Sequence, residues 1–115
     1  MAAPLRVRTP GKVNLTLLVG PRRGDGYHEL LTVFVPVGLY DELVFELEAV
    51  RPGEGEPSGQ AKVTCPGVPP DDNLVSSALS ALASASGWEL HGLVTVRKHL
   101  PVAAGMGGGS SNAAA

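Results

Sequence analysis

Apolar and polar positions alternate along the first half of the chain. Val13, Leu15, Leu17 and Val19 alternate with Asn14 and Thr16, the period-two pattern of a β-strand. Leu5–Arg8 reads as a short strand before it, set off by a turn at Pro10-Gly11. Gly20–Gly26, with Pro21, Gly24 and the pair Asp25-Gly26, predicts a loop or wide hairpin turn. Tyr27–Val37, rich in Leu, Val and Phe, is the returning strand, ended by Pro36 and Gly38. Leu43–Leu47 alternates again, with Glu46 and Glu48 outward. Arg51–Gln60 reads as an exposed connection, Ala61–Thr64 as a further strand, and Pro66–Pro70 as a rigid connector.

The period then changes. Leu74, Val75, Ala78, Leu79, Leu82 and Ala83 recur at helical spacing and stop near Gly87. Asp71 and Asp72 precede them, where a helix N-terminus favours acceptors and negative charge. Leu93–Lys98 is another strand, leading through Leu100–Gly109 into a second helix from about Ser110. Many strands before the first helix, without an internal repeat, indicate one α+β domain. The sequence stops at Ala115, in the first turn of that helix, so residues 1–115 are expected to be an incomplete domain.

Composition narrows the classes. The chain is 43% hydrophobic and 17% charged, which excludes a charge-rich disordered segment. One Trp, two Tyr and two Phe leave the core to Leu, Val and Ala, a marginal supply at this length. A net charge of -2 argues against a general nucleic-acid binder. Arg6, Arg8, Lys12, Arg22 and Arg23 nevertheless precede the first acid, Asp25, so this segment either meets an anionic ligand or is solvated surface. The carboxylates from Asp41 to Glu56, opposed only by Arg51, read as a solvated strand and loop. Cys65 is alone, which excludes an intrachain disulfide and a cysteine-based zinc site; beside Pro66 it reads as a small packing residue. No apolar run is long enough to span a membrane, and a soluble cytoplasmic protein is the expectation.

The densest chemical signal is Pro101-Val102-Ala103-Ala104-Gly105-Met106-Gly107-Gly108-Gly109-Ser110-Ser111. Glycines leave no side chain between backbone and ligand, so successive N–H groups can converge on an anion. A helix beginning at Ser110 would add its own unpaired N–H groups, and the Ser110 and Ser111 hydroxyls could meet a phosphate or a magnesium ion. No Lys follows the last glycine, so this is not a Walker loop. No first βαβ unit precedes it, so it is not a dinucleotide fingerprint. Taken alone, the segment is either a flexible loop or a phosphate cradle.

Pro10-Gly11-Lys12-Val13-Asn14-Leu15, Asp25-Gly26-Tyr27-His28-Glu29-Leu30 and Pro101–Ser111 occur in one order and together resemble the GHMP kinase superfamily. Its phosphate loop has the form P-x-x-x-G-(L/M)-G-(S/G)-S-(S/A). Asp72-Asn73-Leu74 and Lys98-His99-Leu100-Pro101 fit as well, and the resemblance runs from about Pro10 to Ala115. It implies the N-terminal ATP-binding lobe of a two-lobed α+β enzyme, of ribosomal-protein S5 domain 2 type, truncated at residue 115. The implied reaction moves the γ-phosphoryl group of ATP, with Mg2+ expected from the reaction class, to an alcohol of a small molecule.

The resemblance also implies roles. Lys12 is the catalytic-site lysine, and Asn14 could hydrogen-bond a polyol. Tyr27 stacks on cytosine and His28 bonds the base edge. Pro101–Ser111 hold the ATP phosphates, although Ala103-Ala104 stand where glycines are common. Asn73 and Lys98 resemble positions near the adenine; Asn73 could equally serve its helix, and Lys98 could be solvated. His91 and His99 read as surface residues. The family's catalytic aspartate, in a Gly-Ala-Asp context, is expected beyond residue 115. The competing classes are a non-catalytic nucleotide-binding module and a ribosomal-type RNA-binding domain, the latter by fold analogy alone. The expected partners are ATP and a small molecule, with neither nucleic acid nor membrane.

Overall fold

The computed structural model of the chain describes residues 3–56, 59–68, 73–101 and 105–115. Asp71, Asp72 and Val102, Ala103 and Ala104 lie outside the described residues. The elements are β1 (Leu5–Arg22), β2 (His28–Val50), β3 (Lys62–Thr64), α1 (Leu74–Ser86), β4 (Glu89–Arg97) and α2 (Gly108–Ala114). The strands form one mixed sheet in the order β1-β2-β4-β3. β2 is antiparallel to both neighbours, while β3 runs parallel to β4. Parallel neighbours need a crossover connection, which α1 supplies.

Pro10-Gly11, expected as a turn, is a bulge inside β1. Pairing slips from Pro10↔Tyr40 to Lys12↔Pro36, so Val37, Gly38 and Leu39 stand against Gly11 alone. Both prolines sit where a missing N–H costs least: Pro10 on an edge strand, and Pro36 where β2 has only β1 beside it. Such a bulge bends the strands and re-aims the side chains beside it. β2 consequently continues through Pro36 and Gly38, where a break was expected.

β4 pairs only with Glu42–Val50 of β2, so the earlier part of the hairpin stands out as a two-stranded ribbon. The radius of gyration is 16.6 Å, against about 13 Å for a compact domain of this length. The alternation of Val13, Leu15, Leu17 and Val19 therefore specifies a strand but not burial: all four are exposed, as are Leu30, Leu31, Val33 and Phe34 opposite. The core lies at the other end. Leu43, Val94, Val96 and Val75 are buried there, with Phe45, Leu47, Val63, Cys65 and Leu79 packed around them. Cys65 is thus a packing residue, and burial pushes its thiol pKa up.

α1 is capped at both ends. The Asn73 side chain accepts from the Val75 N–H at 2.9 Å, and Gly87, at φ 73°, donates its N–H to Ala83 O. The Arg51–Gln60 connection is tied down where it is described. Gly53 N–H donates to Glu89 Oε1, while Glu89 Oε2 lies 3.2 Å from His91 Nε2. Gly55 and Gly59 rest against the His91 ring, so that side chain is largely covered, not the surface residue expected; His99 is exposed. No helix among the described residues is long and apolar enough to cross a membrane.

Leu43 has no exposed surface, so Leu43→Ala should cost about 2–5 kcal/mol. Urea unfolding at equilibrium measures it; a loss well under 1 kcal/mol (roughly the noise of surface substitutions) would place the core elsewhere.

Candidate functional site

The bulge sets Lys12 against the glycine turn. Its backbone N–H donates to Met106 O at 2.8 Å, and its Nζ donates to Gly105 O and Asn14 Oδ1, each at 2.8 Å. The ammonium also lies 5.2 Å from the centre of the Phe34 ring, within cation–π range. Asn14 is held in turn: its Nδ2 donates to Thr32 Oγ1 at 2.8 Å, and that hydroxyl donates to Thr16 O at 2.7 Å. The carbonyl of Asn14 therefore has a fixed aim at Lys12. Among the described residues Lys12 has no carboxylate partner.

Two glycines make this fit possible. A Cβ on Gly11 would stand 2.8 Å from Leu100 Cδ2 and 3.2 Å from Met106 Cε, so a side chain there would have to displace the ends of both. Gly107 caps α2 in the left-handed region at φ 65°, and a Cβ there would press on the Lys12 stem, 3.2 Å from Cε. The Ser111 N–H is already used on Gly107 O at 2.9 Å. Ser110 is exposed and Ser111 half-buried, and α2 starts two residues earlier than its expected position, at Gly108.

Beneath the turn lies a polar cluster around Asp41, whose side chain has no exposed surface. Asp41 Oδ1 accepts from the N–H groups of His99 (2.7 Å) and Leu100 (2.9 Å). Oδ2 accepts from Lys98 Nζ and from Asn112 Nδ2, the latter at 3.0 Å. Asn112 also accepts from Lys98 Nζ at 3.1 Å and donates to Thr9 Oγ1 at 2.7 Å. Burial alone pushes the Asp41 carboxyl pKa up. Hydrogen bonds from Leu100, Lys98, His99 and Asn112 outweigh that and hold it below its ordinary value. Asp41, read from sequence as solvated, is the most buried charge described; Lys98 is paired and not solvated.

Tyr27 and His28 stand apart from this cluster, at the far end of the ribbon. Tyr27 is exposed, with its N–H on Asp25 Oδ1 at 3.0 Å, and His28 Nδ1 lies 2.9 Å from Gly20 O. They are roughly 30 Å of strand contour beyond Lys12. Arg23 pairs with Asp25 and Glu29 there, and Arg6 with Glu42, so part of the basic N-terminal segment is neutralised. Asn73 is occupied at its Oδ1 by the cap of α1.

Two hollows lie elsewhere. One of about 580 Å³ opens between α1 and the start of β4, near Trp88, and an apolar one of about 640 Å³ lies between the two helices and the sheet. Neither is lined by Lys12 or by the glycine turn. For a magnesium ion the chain offers the Ser110 and Ser111 hydroxyls. Among the described residues no three His, Cys, Asp or Glu side chains gather as a ligand set. That donor set suits an ion held chiefly by the phosphates of a nucleotide.

No family model matches the chain. The 4-diphosphocytidyl-2-C-methyl-D-erythritol kinase of Salinispora tropica is 41% identical over 121 residues, covering 99% of this chain and 35% of the relative. That of Thermobifida fusca is 45% identical over 130 residues, covering 100% and 39%. A crystal structure of 4-(cytidine 5'-diphospho)-2C-methyl-D-erythritol kinase superimposes with a TM-score of 0.67 at 38% identity, covering 96% of this chain and 37% of that one. The α+β arrangement of sheet and helices is thus shared with that kinase structure. The chain is similar along its whole length to 4-diphosphocytidyl-2-C-methyl-D-erythritol kinases, and spans little more than a third of their length.

Removing one partner of a buried ion pair strands the other, so Asp41→Ala should destabilise the chain by about 3–5 kcal/mol. The folded pKa of Asp41 lies below its ordinary value, 3.8. Its contribution is therefore complete above that value and is lost as pH falls through the folded pKa. Urea midpoints from pH 7 down to pH ~2 should show a steeper acid decline in the wild type than in Asp41→Ala. Parallel declines would mean that Asp41 is not the titrating group.

Proposed function

We propose that this chain is the phosphate-binding part of a 4-diphosphocytidyl-2-C-methyl-D-erythritol kinase. The reaction transfers the γ-phosphoryl group of ATP to the 2-hydroxyl of that substrate, a step of the non-mevalonate isoprenoid route. The observation that carries this reading is the double tether of Lys12 to the glycine turn, through its N–H on Met106 O and its Nζ on Gly105 O. A lysine of a solvated strand would have no reason to be fixed there. A lysine that must meet charge developing on a transferring phosphoryl group would.

The chemistry then divides among the residues. Backbone N–H groups of the turn around Gly107–Ser110 hold phosphate oxygens, with the Ser110 and Ser111 hydroxyls beside them. Magnesium, when bound, neutralises charge on the β- and γ-phosphates. Lys12 stabilises negative charge on the transferring group, and Asn14, held by Thr32, orients Lys12. Tyr27 offers its exposed face for stacking on the cytosine and His28 its ring for the base edge. Near the adenine, Asn73 would act through its Nδ2, since its Oδ1 caps α1. Asp41 cannot be the general base, because four donors already occupy its oxygens. The base is assigned to an aspartate beyond Ala115, as the family pattern implies.

In the full gene product carrying this chain, Lys12→Ala should lower kcat by about 10²–10³-fold, the scale for losing one donor that stabilises transition-state charge. Circular dichroism should show the fold retained. A kcat close to the wild-type value would remove Lys12 from the mechanism, and absence of any ATP-dependent phosphorylation by the wild type would leave a nucleotide-binding module.

A further inference from the structure

The glycine turn has two stems, and one buried carboxylate holds both. Lys98, His99 and Leu100 lead from β4 into the turn and give Asp41 three of its donors; Asn112, in the helix that leaves the turn, gives the fourth. Asn112 locks the two stems to each other by accepting from Lys98, and ties them to β1 through Thr9. The Lys98 ammonium lies directly under the start of α2: a Cβ on Gly108 would be 3.1 Å from its Nζ. Leu100, placed by its N–H bond to Asp41, carries the side chain against which Gly11 packs, next to Lys12.

Core stability alone does not explain a charge at this point. Well-packed apolar residues commonly equal or exceed a buried ion pair in stability. A carboxylate does something an apolar side chain cannot: its two oxygens accept from four donors whose directions fix the stems relative to each other. An amide is no substitute, because it presents one oxygen and one NH2, and that NH2 would face two of the four donors.

We infer that Asp41 is a positioning residue for the ATP-phosphate site, acting through Lys98 and Asn112 to set the spacing of the turn's stems and the place of the Lys98 ammonium. This rests on the kinase reading above. The test is a double-mutant cycle of Asp41→Asn and Lys98→Met in the full gene product, at a temperature where circular dichroism shows every variant folded. Affinity is read with a fluorescent N-methylanthraniloyl ATP, and KM and kcat with ATP and the cytidine-diphosphate substrate.

Asp41→Asn should weaken ATP binding and raise KM for ATP by about tenfold or more, the scale of a lost hydrogen bond to a charged group. KM for the other substrate should stay within about twofold, and in the Lys98→Met background the further loss should be well under tenfold, because coupled residues are not additive. If folded Asp41→Asn binds ATP as the wild type does and only its Tm falls, Asp41 is a structural residue and the inference fails while the kinase reading stands. Fully additive losses would overturn the route through Lys98. If the wild type shows no saturable ATP binding, the kinase reading fails and the inference with it.

Discussion

Asp41 carries a charge with no access to water, and four donors from two segments converge on its oxygens. A lone buried carboxylate would be prohibitively costly and would take up a proton instead. Here the donors hold it ionised, and in doing so they fix where β4 ends, where α2 begins and how both meet β1 through Thr9. Remove that carboxylate and the N–H groups of His99 and Leu100 lose their acceptor, while Lys98 and Asn112 are left only with each other and Thr9. The few apolar residues of the core, Leu43, Val75, Val94 and Val96, hold the sheet and α1 together, but none of them reaches the glycine turn.

The bulge at Gly11 is the second half of the same arrangement. It lets β1 bend past the turn so that Leu100 and Met106 close on a residue without a side chain, and so that the next residue, Lys12, donates to the turn from both backbone and side chain. The two halves meet at Leu100: its N–H is bound by Asp41 and its side chain abuts Gly11. A cation, a rim of backbone N–H groups and a buried anchor are thereby fixed relative to one another by short-range contacts.

Much of this was legible in the residues. The patterns indicate a strand or helix in every element described, although they split β1 and β2 each in two and begin β4 at Leu93 rather than Glu89. What was not legible has physical causes. Alternation reports a strand and not what covers it, and the described residues leave the ribbon leucines exposed. Pro10-Gly11 carries turn chemistry, yet an edge strand tolerates both residues inside a bulge. Asp41 was grouped with the carboxylates around it by charge. The signal that would have separated it is parity: 41, 43, 45 and 47 point the same way along β2, and the last three are apolar. Asn112 and Thr32 leave no such trace, because their partners are distant in sequence and only the folded chain brings them to Asp41 and Asn14.

The central claim is that Lys12 and the turn around Gly107–Ser111 form one phosphate site. The most direct measurement is a titration of ATP and magnesium into the 15N-labelled protein, following backbone amide shifts residue by residue. The account predicts saturable shifts that are largest at Lys12 and Gly107–Ser111. Shifts centred instead on the hollow beside Ser84 and Trp88, with Lys12 and the turn unmoved, would contradict it.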